Sequence, residues 1–426
     1  MLNKTLLLGS AAALFAVSGA QAADLPVVEP VDYVRVCDAF GAGFHYIPGT
    51  ETCLKFSGYV RAEIGGRGGD DHDDDKDDTT FLNSKFELVV NASSMTEIGM
   101  VVGQFSVVGE NEGDVAVEDA WITIGENILV GRETSRYDFG GGYGMYDGLY
   151  VDEGLNQFTF IMPFGNGFSA TLGLEDGRDR RAKIAQYNGS GTAITLTSAF
   201  DTGGGSITNT ATIATGAYIG KDAAYGGMEI PEVVASLRLS QGWGSAQVSG
   251  ALHQIRSLTE YAPDAPYTSA VVNGGVAEGV LDEDYGFAVQ AGVELNIGAM
   301  TKFKVVGAYA DGAMHYIGGE DYYEATVDVI TGNITDTLDG WYALAGLNHD
   351  FGGGFELGGQ FSYHDFQDQA QLWQVGATAT YEVVENLLVR VGGQYTDIST
   401  EENVALGTEA GDSDNWEAKM RIQRNF

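Results

Sequence analysis

The chain has 426 residues, with 22 Lys and Arg against 60 Asp and Glu (formal net charge −38), 61 Gly, 7 Pro and 2 Cys. Such acidity excludes a nucleic-acid-binding surface, which needs clustered cations to displace counterions. No long apolar run follows the first twenty residues, which excludes a helical membrane protein with its about 18–20 apolar residues per span; 44% apolar content excludes a disordered chain.

Residues 1–22 read as a secretory signal peptide: Lys4 in a positive leader, an apolar stretch Leu6 to Val17, and the small-x-small pattern Ala20-Gln21-Ala22. The protein is therefore expected to leave the cytoplasm. Cys37 and Cys53 follow, the only two cysteines. In an oxidising compartment such an isolated pair is expected to form one disulfide, worth about 3 kcal/mol in the chain-entropy model. Neither has zinc-ligand neighbours, so no metal site is expected.

From Cys53 onward apolar and polar side chains alternate over about ten residues, then a Gly-, Asp- or Asn-rich break intervenes. In Leu54–Ile64 one face carries Leu54, Phe56, Val60, Ala62 and Ile64, the other Lys55, Ser57, Tyr59, Arg61 and Glu63. Tyr285–Ile297 and Phe355–Tyr363 repeat the pattern. Period two marks strands with one apolar face, and no comparable segment carries a helical stripe. Short turns near Ser93–Thr96, Gly125–Asn127, Gly165–Gly167, Gln241–Trp243, Gly298–Thr301, Gly352–Gly354 and Glu385–Asn386 alternate with longer polar loops. The longer loops cover about 65–80, 109–114, 133–154, 176–230, 257–284, 311–340, 365–369 and 399–412.

Seven turns and eight loops separate sixteen strands. An even count with short turns at one end and long loops at the other is the layout of a bacterial outer-membrane barrel, and closure removes the strand edges that lipid cannot solvate. The expected fold is all-β, a sixteen-stranded antiparallel transmembrane barrel with short periplasmic turns and long extracellular loops. Residues 23–53 are expected to form a periplasmic N-terminal segment holding the disulfide, and residues 54–426 the barrel. The last strand puts Trp416, Ala418, Met420, Ile422 and Phe426 on one face and ends on the aromatic Phe426, a C-terminal barrel signature.

The stretches CDAFGAGFHYIPGTETCLKFSGYVRAE (Cys37–Glu63), AWITIGENILVGRETSRYDF (Ala120–Phe139), FGNGFSATLGLEDG (Phe164–Gly177), IPEVVASLRLSQGWGSAQVSGALH (Ile230–His253) and MRIQRNF (Met420–Phe426) resemble the alphaproteobacterial general porins. These matches span both ends and the middle of the chain. The resemblance implies a sixteen-stranded barrel in the bacterial outer membrane, a homotrimer, and a third long loop folded into the lumen as the constriction. It carries no ion or solute preference, because the long loops depart most from the family, above all the Asp run of the first and the Thr/Gly-rich fourth.

The expected function is a water-filled channel for passive diffusion of small hydrophilic solutes and ions, without cofactor or metal. Its expected partners are two further copies of the chain, outer-membrane lipid and lipopolysaccharide, and no nucleic acid. In such a pore the physical question is which charges narrow the water path. The third loop, Glu133–Gly154, supplies Glu133, Asp138, Asp147, Asp152 and Glu153, with Gly140–Gly142 and Gly144 free to bend inward. Inward positions of the first, second and last strands supply a basic wall of Arg61, Lys85, Lys419 and Arg421. Opposed, the two sets would set a transverse field across the narrowest point. Arg132 is a weaker member, its facing left open by a short strand.

Other inward positions carry Lys55, Arg238, Lys302, Lys304 and Arg390 against Glu63, Glu87, Glu175, Glu232, Glu294, Glu356 and Glu417, so the wall is close to balanced. The excess negative charge then falls on the loops, which predicts a mild cation preference that fades with salt. Outward aromatics, among them Phe56, Tyr309, Tyr363, Trp373, Tyr381 and Tyr395, suit interfacial girdles or a subunit interface. The run Asp70–Asp78 lacks the spacing of an EF-hand and reads as a solvated acidic loop rather than a Ca²⁺ site. GxSxG, HExxH and P-loop motifs are missing and the six His are scattered, so no enzyme is expected. The alternatives are a secreted or surface β-rich adhesion protein and, behind it, a barrel enzyme.

Overall fold

The computed structural model describes residues 36–426 except 71–78, 112, 114, 146–153, 188–193, 202–205, 214–217, 260–279, 329–330, 404–405 and 407. The expected signal peptide, the acidic run beyond Asp70, and Asp147, Asp152 and Glu153 of the third loop lie outside the described residues.

Sixteen strands form the wall. The first eight are β1 (Cys53–Gly69), β2 (Thr80–Thr96), β3 (Gly99–Glu110), β4 (Ala116–Ile124), β5 (Ile128–Thr134), β6 (Gly154–Gly165), β7 (Phe168–Glu175) and β8 (Glu232–Gln241). The rest are β9 (Gly244–Thr259), β10 (Val280–Ile297), β11 (Thr301–Asp311), β12 (Asp339–Asp350), β13 (Phe355–Phe366), β14 (Ala370–Val384), β15 (Leu387–Thr400) and β16 (Gly411–Asn425). Each pairs antiparallel with the next, and β16 returns to β1 with Ile422 opposite Ala62 and Arg421 opposite Glu63. Phe426 finishes the seam: its N–H donates to the Gly58 carbonyl at 3.0 Å, and the Gly58 N–H donates back to the Phe426 carbonyl at 3.2 Å. The closed antiparallel barrel expected from the alternation is thus present.

Many strands outrun the expected ten residues, β10 reaching 18. β1 continues through Gly65–Gly69, the expected start of the first loop, because backbone pairing to β16 persists there without an apolar face. Tight turns depend on left-handed residues: Gly165, Asn166 and Gly167 have φ of 82°, 53° and 82°.

The outer face is apolar, with Val60, Ile64, Leu82, Leu237, Val248 and Ile297 all exposed. The inner face is polar and covered, with Gln157, Thr159, Ser236, Gln247, Gln290 and Gln360 buried. Aromatics gather at the outer ends of neighbouring strands: Tyr309 opposes Trp341, Tyr363 opposes Trp373, and Tyr395 opposes Trp416. The Trp341–Tyr363 and Trp373–Tyr395 ring centroids are each 5.3 Å apart. The row stops at β1, where Trp416 faces Gly68.

Below the barrel, Cys37 and Cys53 form the expected disulfide and pack with Phe44, Phe40 and Tyr46. At the opposite rim, parts of the fourth and sixth loops join in one four-stranded sheet. Its members are Lys183–Tyr187, Tyr218–Asp222, Tyr323–Asp328 and Ile334–Thr337, and Tyr323–Asp328 runs parallel to Lys183–Tyr187. Ile184, Ala325, Val327 and Ile255 form its small core against β9.

Candidate functional site

The third loop leaves β5 and turns into the bore. Gln157 on β6 starts it inward, its side-chain amide donating to the carbonyls of Glu133 (2.9 Å) and Thr134 (3.1 Å). Ser135 donates to both oxygens of Glu175. Gln247 and Ser249 on β9 then bind the Tyr137 carbonyl at 3.1 and 2.6 Å. Further on, Lys304 donates to the Gly141 carbonyl at 2.9 Å, the Tyr143 hydroxyl donates to Glu294 at 2.9 Å, and the Gly144 N–H donates to Gln360 at 2.7 Å. The described part of the loop therefore runs over the inner wall from β9 to β13.

Small residues make room for it. A Cβ on Gly358 would lie 2.4 Å from the Tyr143 carbonyl oxygen, and one on Gly292 would lie 2.2 Å from the Phe139 ring. Aromatic loop residues meet wall cations, with Lys304 5.5 Å from the Phe139 centroid and Arg238 5.3 Å from it.

Glu133 is the second-last residue of β5 rather than a loop residue, because its backbone pairs with Leu155 on β6. It is bound by Arg136, three residues on. Asp138 is buried against Arg180 from the fourth loop at 3.2 Å. Arg180 is wholly buried, over the Tyr316 ring at 4.3 Å. Burial opposes its charge, yet Asp138 foremost, with Tyr316, Glu175 and Glu232, holds its guanidinium above its ordinary value. Both described acidic residues thus carry a cationic partner that single-sequence alternation does not reveal. The i, i+3 spacing of Glu133 and Arg136 was a usable signal; Arg180 is 42 residues from Asp138 and was not.

The expected basic wall assembles across adjacent strands. Arg61 on β1 is opposite Lys85 on β2, and Arg421 on β16 is opposite Arg390 on β15. Arg421 binds Glu63, and Arg61 lies 3.8 Å from the same carboxylate. Lys419 is one inward step away, 3.5 Å from Glu417. Among the described residues Lys85 and Arg390 form no ion pair within 4.0 Å. Arg390, inward by alternation but absent from the expected set, becomes a member through its register with Arg421. Arg132 shares an outward row with Ala120 and Val130 and meets Asp179 at 3.5 Å, so it belongs to the outer surface.

A family model described as the porin subfamily matches residues 24–422. Porin Omp2b of Brucella suis is 29% identical over 446 aligned positions, 99% of each chain. Porin Omp2b of Brucella suis biovar 1 is 34% identical over 283 positions, 61% of this chain and 67% of the relative. Among solved structures, the outer membrane channel DcaP of Acinetobacter baumannii superposes with a TM-score of 0.62 at 13% identity, covering 89% of this chain and 99% of that one. The anion-selective porin of Comamonas acidovorans gives 0.50 at 12% identity over 88% and 100%. At such identities these two likenesses concern the fold. Sequence family, closed barrel and polar bore agree: the chain belongs to the porin subfamily and is an outer-membrane channel for passive diffusion.

Proposed function

We propose that this channel is a homotrimer whose narrowest point lies between the third loop and the arc Lys85, Arg61, Arg421 and Arg390. It passes small hydrophilic solutes and ions with a mild preference for cations. The observation that carries the constriction is the loop's attachment inside the bore, by the inward side chains Glu294 on β10, Lys304 on β11 and Gln360 on β13. A loop tied there takes up cross-section, so the free passage runs along the other side of the wall.

Ion preference follows from where charge is cancelled. Glu63, Glu294 and Glu417 each sit within 4.0 Å of a wall cation, so the bore is close to neutral and the surplus acid of a −38 chain belongs to the loops. An acidic vestibule concentrates cations within a Debye length of about 8–10 Å. The test is the reversal potential across a KCl gradient in planar bilayers, at 0.1 and 1 M. Cation preference is expected at low salt and weaker at high salt; anion preference at low salt would overturn the acidic-mouth account. The double variant Arg61→Ala, Lys85→Ala should move the reversal potential further toward cations, and an unchanged value would remove the arc from the constriction.

The interrupted aromatic row supports the trimer. An interfacial girdle is useful only where lipid meets the wall, and beyond Trp416 the outward positions of β1 are Gly68, Gly66, Ile64, Ala62 and Val60. Such a flat, small, apolar face fits a second copy of the chain, with lipid and lipopolysaccharide against the remaining perimeter. The acidic loops would meet lipopolysaccharide through divalent cations.

A further inference from the structure

A cavity of about 380 Å³ opens at the root of the third loop, between Thr134–Asp138 and the inner faces of β6 to β9. Its volume falls within the range of small-molecule sites. Two guanidinium groups, Arg136 and Arg238, share its lining with the hydroxyl of Ser169 and with Thr171 and Ser236, whose hydroxyls bond each other at 2.5 Å and keep further donor and acceptor capacity between them; the Ser135 hydroxyl is spent on Glu175.

The charge there is opposite to that of the chain as a whole. Asp138, the only carboxylate in the lining, is held by Arg180 at 3.2 Å. Glu133 engages only one terminal nitrogen of Arg136, whose Nε is buried without a hydrogen-bond partner. Arg238 forms no ion pair among the described residues. Its Nη1 donates to the Gln247 side-chain oxygen at 3.1 Å, and the Gln247 nitrogen is spent on the backbone carbonyls of Arg136, Tyr137 and Asp138. Gln247 therefore fixes the loop root and one edge of the Arg238 fork together. The remaining donors of that fork suit a phosphate or carboxylate, and hydroxyls that both donate and accept suit a polyhydroxy body.

We propose that this cavity is a subsite for hydroxylated organic anions of the size of a hexose phosphate, retained briefly on their way through the channel. Arg238 binds the anionic group and the Ser/Thr wall meets the sugar hydroxyls. Transport by diffusion is sufficient for this, and the sign of the bulk ion preference does not enter it.

The test is single-channel current recording of the full-length porin in planar bilayers, with glucose 6-phosphate, glucose or inorganic phosphate added to a KCl bath. Glucose 6-phosphate is expected to give resolved current blockades, longer than those of either other probe. In Arg238→Gln the blockade dwell time should fall about tenfold, the loss expected for a charge-assisted hydrogen bond. Arg238→Lys should recover part of it, and Arg256→Gln, which removes a positive charge near the rim, should leave it within about twofold. Heat-modifiable migration of each variant reports an intact barrel. Equal dwell times in the wild type and Arg238→Gln would overturn the proposal. So would blockade by inorganic phosphate as long as that by glucose 6-phosphate, since the hydroxyl wall would then recognise nothing.

Discussion

Glu63 sits between Arg61 and Arg421 on the inner wall, so three ionic groups there amount to one net positive charge. Their partnership separates two roles that charge alone confuses. Lys85 and Arg390 make no ion pair among the described residues and act on ions only through their field. Arg421 also holds a carboxylate that is 7% exposed. Arg421→Met should therefore both shift the reversal potential and lower the temperature at which the barrel converts to unfolded migration on a gel. Its cost in stability is about 1–3 kcal/mol, because Glu63 keeps only the longer contact to Arg61. Lys85→Met should shift the reversal potential alone. Equal thermal loss in the two variants would show that the Glu63 contact contributes nothing to stability.

The third loop stays in the bore because glycines on the wall let its backbone come close. Gly358→Val would place side-chain atoms against the Tyr143 carbonyl and push the loop off β13. Single-channel conductance should then rise, by roughly 1.5-fold if the loop bounds the narrowest section. An unchanged exclusion limit in liposome swelling would place that section elsewhere. The sixth loop carries a different sensitivity. His315, buried in the short helical turn Met314–Ile317, is pushed down to about 4, first by burial and then by the positive charge of Arg180. The unfolded loop, with an ordinary His near 6.5, binds the extra proton between those values. Packing of this turn is accordingly strongest above about pH 6.5 and weakens as pH falls toward 4. Amide protection over residues 314–324, relative to the intrinsic exchange rate at each pH, should fall between pH 7 and 4.5, and His315→Gln should flatten that response. A wild-type exchange rate that follows only the intrinsic pH dependence would contradict this.

At the scale of the molecule, the row of rim aromatics along the outward side of β11 to β16 stops at β1, and Leu82 of β2 lies beside that end, opposite Ile64. Leu82 there is 77% exposed in the single chain, a large apolar surface that either lipid or another copy must cover. Leu82→Asp should convert an SDS-resistant oligomer into a monomer that still migrates as a folded barrel. Retention of the oligomer would locate the subunit contact on other strands. Net charge also belongs to this scale: if the surplus acid sits on the rims, as proposed, salt should affect selectivity more than fold stability.

Strand count, topology and the disulfide were legible in the sequence for a local reason. Alternation with period two, turn residues at the breaks, and two lone cysteines are written within ten to twenty residues of one another. The closing Phe426 and the inward faces of Arg61, Lys85, Lys419 and Arg421 followed from the same alternation. What alternation cannot supply is which inward residues become neighbours. Register between β15 and β16 brought Arg390 to Arg421, and the folding of the fourth loop brought Arg180 to Asp138. Facing is a property of one strand, and the tertiary structure alone decides pairing, because the partners of a lumen charge come from strands and loops far away along the chain.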